Sequence, residues 1–223
     1  MFGYFWRKLI VHSTAALSGS IIVKVGSEGK EYTLHKSLLA HHSGYFRGSL
    51  SGNFKETDDG VIPLDDVDTD AFEVFVDWMY KDRLPQCVHR IFRVNGFDAG
   101  NEAQISIRYR AYVLADRLII PGLKKALLKV TFDRYSVGGR PGLWLVVYFF
   151  NNLPEEDPML RLLVDGHCIN NGVNVAREGV SIARLEQLPA NFLVRVMHKL
   201  EDLTHIDKAD WVLRLENYEQ KTA

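Results

Sequence analysis

Apolar and polar positions alternate from Ile21 to Val25, pass through the turn residues Gly26-Ser27-Glu28-Gly29, and resume an extended pattern at Tyr32-Thr33-Leu34. Two period-two runs around a glycine-bearing link predict a β-hairpin. From Leu34 the period changes to a helical one: Leu38 and Leu39 form an apolar patch, and Ser43-Gly44 punctuates before Tyr45 and Phe46, so two short helices are expected. Gly60 to Leu64 reads as a further short strand, and Asp68 is placed to cap the next helix with Asp70 in its first turn. Phe72, Phe75, Val76 and Met79 follow at i, i+3, i+4 and i+7, a buried face in which each side chain contributes on the order of 1.5–3 kcal/mol.

Periodicity lapses between residues 81 and 103, where Pro85, Gly96 and Gly100 lie among polar residues; a long loop with a short strand near Ile91 to Val94 is expected. Tyr112 to Ile119 restores a helix that Pro121-Gly122 ends, and Leu123, Leu127 and Val130 mark another. Ser136-Val137-Gly138-Gly139-Arg140-Pro141-Gly142 is the strongest internal breaker and reads as a boundary. Beyond it, helical stretches are expected at Leu143 to Phe150, Pro158 to Cys168, Ala190 to Leu200 and Lys208 to Tyr218. Residues 1–17 read as an N-terminal amphipathic helix with Phe2, Phe5, Trp6, Leu9 and Ile10 near one face. Arg7, Lys8 and His12 interrupt what a signal peptide keeps apolar, so the segment is read as a partner-seeking stripe.

Composition narrows the class. The chain has 223 residues, is 47% hydrophobic and 25% charged, and so carries material for an ordinary globular core. Lys and Arg number 27 against 28 Asp and Glu, a formal charge of -1, which provides no global attraction for nucleic acid. No apolar run approaches a membrane span. Cys87 and Cys168 are too sparse for a disulfide framework, and with no N-x-[ST] acceptor present the expected location is intracellular, in cytoplasm or nucleus.

The run His35-Lys36-Ser37-Leu38-Leu39-Ala40-His41-His42-Ser43-Gly44-Tyr45-Phe46 resembles the HKxxLAxxSxYF signature of the BTB/POZ fold. Phe54, Glu56, Ile62 and Leu64 resemble that family's FxE…IxL strand entry, and Ala71-Phe72 through Trp78-Met79-Tyr80 its aromatic helix. Tyr112-Val113-Leu114-Ala115-Asp116-Arg117-Leu118, followed by Pro121 and Leu123, looks like the helix pair that closes the domain. The resemblance covers about residues 18–134. It implies an α+β fold, a small three-stranded sheet covered by helical hairpins, with residues 135–223 as an all-helical C-terminal extension similar to that of short fungal BTB proteins. Kelch repeats, a MATH domain and zinc fingers are not recognisable.

Carried over residue by residue, the likeness marks His35, Lys36, Leu39, Ser43, Phe46, Phe72, Tyr80, Ala115 and Asp116 as structural signature positions. His35 is expected to satisfy backbone groups at the strand-to-helix corner. The acidic residue that usually opens the first strand in homodimeric members is Ser20 here. The function implied is a protein–protein interaction module for homo- or hetero-oligomerisation or scaffolding, with another copy or another BTB chain as partner through Phe2, Phe5, Trp6 and Leu9. The alternative is a substrate adaptor of a cullin-based ubiquitin ligase, docking through Tyr80, Asp82 and Arg83, although the hydrophobic-x-acidic docking tripeptide is not evident.

Reactive chemistry finds little support. Asp66, Asp68, Asp70 and Asp77 imitate a calcium loop, but Ala71 stands where the turn needs glycine. His41, His42, Cys87, His89, His167 and Cys168 do not match zinc-ligand spacings. Gly138-Gly139-Arg140-Pro141-Gly142 lacks the Lys-Ser/Thr of a phosphate loop, and Glu155-Glu156-Asp157 reads as helix-dipole stabilisation. No nucleophile motif is present, so neither an enzyme nor a cofactor is expected.

Overall fold

In the computed structural model, the described residues are 19–51, 60–86, 106–171 and 186–219. They divide into two compact units, the first made of residues up to 86 and Ser106–Leu127, the second of residues from Leu128 onward. The expected N-terminal helix, and most of the 81–103 loop, lie outside the described residues.

In the first unit β1 (Ser20–Val25) and β2 (Lys30–His35) form the hairpin, with Ile21 opposite Leu34 and Val23 opposite Tyr32. The link closes because Gly26 and Gly29 adopt φ of 75° and 63°, and Gly29 N–H donates to the Gly26 carbonyl over 2.9 Å. Two short helices follow, α1 (Lys36–His42) and α2 (Gly44–Ser49). They carry the chain over to β3 (Val61–Leu64), which lies parallel to β1 in a sheet ordered β2-β1-β3. A parallel neighbour cannot be reached by a tight turn, so the intervening helices serve as the crossover. Ile21, Val23, Val25, Ile62 and Leu64 point into the core.

Helix α3 (Thr69–Lys81) begins as expected, with Asp68 Oδ1 accepting the Ala71 N–H over 2.7 Å. Its buried face is wider than the four-residue stripe: Ala71, Val74 and Trp78 join Phe72, Phe75 and Met79, while Val76 is half-buried. The reason is packing on several sides. Phe72 meets Tyr32 of the sheet at 5.1 Å, Phe75 stacks on Phe46 of α2 at 6.3 Å, and Trp78 lies against Gly122.

Helix α4 (Ile107–Arg117) stops two residues before the sequence pattern does. Ile120 precedes Pro121, which disfavours helical backbone there, and Ile119 turns the chain with φ 53°. Pro121 then opens α5 (Pro121–Ser136) rather than merely ending its predecessor, a position where its missing N–H costs nothing.

In the second unit α6 (Leu143–Asn152), α7 (Pro158–Asn171) and α8 (Ala190–Thr204) are helices as expected. Val146, Val164, Cys168, Leu188, Phe192 and Leu203 form a buried cluster. The expected last helix, Lys208 to Tyr218, is instead two isolated 3-10 turns, Lys208–Asp210 and Leu215–Asn217. Trp211, Leu213 and Leu215 are half-buried while Val212 and Arg214 are exposed, so the segment buries alternate residues as an extended chain does.

Candidate interaction surface

The corner between the first unit's helical hairpins is built around Ser43, which is completely buried. Its Oγ accepts the Phe46 N–H over 3.2 Å, capping α2, and donates to the Leu118 carbonyl over 2.6 Å, 75 residues away. Gly44 N–H donates to the Ile119 carbonyl over 2.9 Å, and Tyr45 N–H to the Leu118 carbonyl over 3.3 Å. The first turn of α2 therefore holds the end of α4 in place, and glycine is required at 44 because a Cβ there would stand 2.8 Å from Ile119 Cγ2. The result is a β-branched residue in left-handed backbone with its side chain 61% exposed. Such a conformation costs on the order of 1–2 kcal/mol and persists only where surrounding contacts enforce it.

The same end of the unit carries the terminus of α3. His42 packs edge-on against Trp78 at 5.1 Å, and Trp78 abuts Gly122 of α5. Asp82 ends α3 with φ 53°, its N–H donating to the Trp78 carbonyl over 2.7 Å. Tyr45 and Ile119 are exposed apolar groups at this corner, and Asp82 and Arg83 are exposed at the end of α3. Of the residues expected to dock a partner there, Asp82 and Arg83 are exposed, whereas Tyr80 is half-buried. Ile119 was not expected at the surface; the sign of it in the sequence is Pro121, which forbids the helix from running on.

The signature residues fall in one unit. Leu39, Phe46, Phe72 and Ala115 are fully buried. Lys36 is half-buried. Asp116 pairs with Lys124, whose ammonium also lies 5.5 Å from the Tyr112 ring. His35 does not rely on a backbone group for its imidazole: Nδ1 shares a 2.8 Å hydrogen bond with the Tyr80 hydroxyl, which also accepts the His35 N–H at 3.5 Å. The two residues stand 45 positions apart, too far for a local pattern to reveal. Phe2, Phe5, Trp6 and Leu9 lie outside the described residues, as do Phe54, Glu56, Cys87 and His89.

Carboxylates are engaged by cations across the fold. Asp66 pairs with Arg117 over 2.7 Å, and that guanidinium holds its carboxyl below the usual carboxylate range. Asp68 and Asp70 both pair with Arg110, so this acidic stretch is an ion-pair seam rather than a calcium loop. Lys30 binds Glu73 over 2.6 Å, raising the ammonium's pKa and lowering the carboxyl's. Of Glu155-Glu156-Asp157, expected at a helix N-terminus, Asp157 accepts the Met159 N–H in the first turn of α7 over 2.8 Å, while Glu155 also reaches Asn191 at 3.0 Å and Arg195 at 3.2 Å on α8.

The second unit buries two groups with chemical potential. Burial lowers the pKa of His167, whose ring meets Phe192 edge-on at 5.5 Å. Burial, with Asp165 nearby, pushes the Cys168 thiol up to about 12, the opposite of an activated nucleophile. Among the described residues no group of three His, Cys, Asp or Glu side chains could hold a metal ion, and no helix is long and apolar enough to cross a membrane.

Comparison with known proteins finds a family likeness, and it falls mainly on the first unit. Residues 20–97 match the BTB/POZ domain. Kelch repeat and BTB domain-containing protein 4 of Homo sapiens is 38% identical over 58 residues, 26% of this chain and 11% of that protein. The protein of the same name from Mus musculus gives the same figures, 38% over 58 residues. Germ cell-less protein-like 2 of Homo sapiens is 34% identical over 77 residues, 32% of this chain and 14% of that protein. The match thus spans 11% to 14% of these relatives' own length. Such domains are in general non-enzymatic modules with a protein-interaction or adaptor role.

Proposed function

We propose that the first unit, which carries the BTB/POZ match at residues 20–97, docks another protein chain through its exposed Ile119, Tyr45, Asp82 and Arg83. One observation carries the reading: an isoleucine is held in left-handed backbone by Gly44 while its side chain stands in solvent. A strained apolar group kept at the surface contributes nothing to the core and gains free energy only when a partner buries it. Arg83 and Asp82, exposed at the end of α3, supply charges that set orientation rather than bulk affinity. The mechanism is surface burial, with no bond made or broken.

The specific partner we favour is a second copy or another BTB chain. The second reading is a cullin-type scaffold, favoured by the exposure of Asp82 and Arg83 at the end of α3. Light scattering at micromolar concentration, beside calorimetric titration with a cullin N-terminal domain, separates the two. Ile119→Asn suits the left-handed backbone and removes the apolar contact, so it is expected to weaken whichever association is observed at least tenfold while leaving the fold at least as stable. A strict monomer that ignores the cullin domain, or an association indifferent to Ile119→Asn, overturns the proposal.

A further inference from the structure

The segment after α8 is attached to the second unit in an unusual way. Among residues 207–218 the backbone hydrogen bonds are local, running from Asp210 N–H to the Asp207 carbonyl, Val212 to Asp210, Asn217 to Arg214 and Tyr218 to Leu215. Among the described residues, two aromatic side chains anchor the segment to the helices. Trp211 packs on the cluster that holds Phe192 and Leu203, with its indole N–H donating to the Ile206 carbonyl over 3.3 Å. Tyr218 is 1% exposed, its ring centroid 6.0 Å from that of Phe132, and its hydroxyl donates to Asp165 Oδ2 over 2.6 Å. Asp165 is held in turn by Lys199 of α8 at 2.9 Å.

Between the anchors the chain runs without helical or strand structure over 211–214 into the Leu215–Asn217 turn and half-buries every second residue, Trp211, Leu213 and Leu215. Few backbone bonds tie it to the helices and its apolar contact is discontinuous, the profile of an element that opens before the helices beneath it do. What it leaves on opening is a furrow bearing the seat of Trp211, the Asp165 carboxylate held by Lys199, and the ring of Phe132. That furrow is complementary to one chemistry on the page, the strap's own.

We propose that residues 205–219 form a releasable strap, and that the furrow beneath it takes the same extended segment from a second copy of this chain, with the resident strap as its competitive occupant. Recognition resides in the apolar side chains at 211, 213 and 215 and in the phenol at 218, whose hydroxyl meets the Asp165 carboxylate. This exchange involves the second unit alone and stands or falls independently of the docking surface around Ile119.

Hydrogen exchange on the full chain, followed by binding of a fluorescent peptide of residues 205–219, tests it. The strap amides are expected to exchange as a group at least tenfold faster than the interior amides of α7 and α8, and Tyr218→Phe to accelerate that opening several-fold without changing the helices. The labelled peptide is expected to bind the full chain saturably, with the peptide carrying Tyr218→Phe binding at least fivefold more weakly. Protection of the strap equal to that of α7 and α8 overturns the release. Failure of the peptide to bind, or equal binding of both peptides, overturns the exchange; both readings hold on the wild-type chain, so neither depends on a variant folding.

Discussion

The two units solve one packing problem by different means. In the first, a sheet brings β1 and β3 side by side and the helices close over it, so that groups far apart in sequence meet: Ser43 with Leu118, His35 with Tyr80, Glu73 with Lys30. In the second, helices bury one apolar cluster, and the chain's final described stretch is held by two aromatic anchors. A unit locked by polar joints between segments far apart in sequence resists partial opening, whereas one sealed by a strap can shed a piece and keep its core. The first arrangement suits a rigid docking face; the second suits exchange.

The deepest cut in that contrast is a large-to-small change at each core. Phe72→Ala and Phe192→Ala each remove a fully buried ring and are expected to cost about 3–5 kcal/mol in chemical denaturation. Hydrogen exchange assigns each loss: for Phe72→Ala it should spread through sheet and helices of the first unit together, for Phe192→Ala the strap should lose protection before α7. The polar joints come next. Ser43→Ala removes the shorter of two hydrogen bonds to the Leu118 carbonyl and the acceptor of the Phe46 N–H in a completely buried corner, so about 1–3 kcal/mol is expected. Its counterpart is Asn170, half-buried, whose amide donates to the Tyr135 and Gly139 carbonyls at 2.7 Å each. Asn170→Ala should cost only about 0.5–1.5 kcal/mol, because water can replace part of what is lost. Equal penalties measured by urea denaturation would erase the distinction drawn between the units.

The mildest test is pH. His167 has its pKa lowered from 6.5 by burial, so the unfolded chain takes up a proton more readily than the folded one. The stability it confers is complete above 6.5 and is lost as pH falls below that value toward its folded pKa. Urea midpoints for the second unit between pH 7.5 and 5.5 should therefore decline, and His167→Gln should flatten part of that slope.

Much of the first unit was legible because its signals are local. The hairpin shows in the alternation at Ile21 to Val25 and the glycines of the link, and α3 in its cap and apolar period. The parallel pairing of β1 with β3 has no local signal, since it depends on how the crossover helices fold back. Ile119 was hidden for a related reason: its hydrophobicity fits a helix, and only the tertiary bond from Gly44 and the proline two residues on turn it outward. In the strap the signal is present but fits two structures. Trp211, Leu213 and Leu215 recur with period two, yet Val212 between them is apolar as well, and Lys208, Arg214 and Glu216 suit an amphipathic helix. His35 and Tyr80 could be marked from the resemblance as structural, but not as each other's partner.

Cys168 gives the second unit an internal clock. With its thiol pushed up to about 12 and its Sγ facing the Val196 carbonyl at 3.9 Å, almost none of it is thiolate at neutral pH while the helices are closed. An alkylating reagent therefore modifies it at a pace set by how often α7 and α8 part, and the labelling rate reads the breathing of that core directly, with no dye or isotope built into the chain.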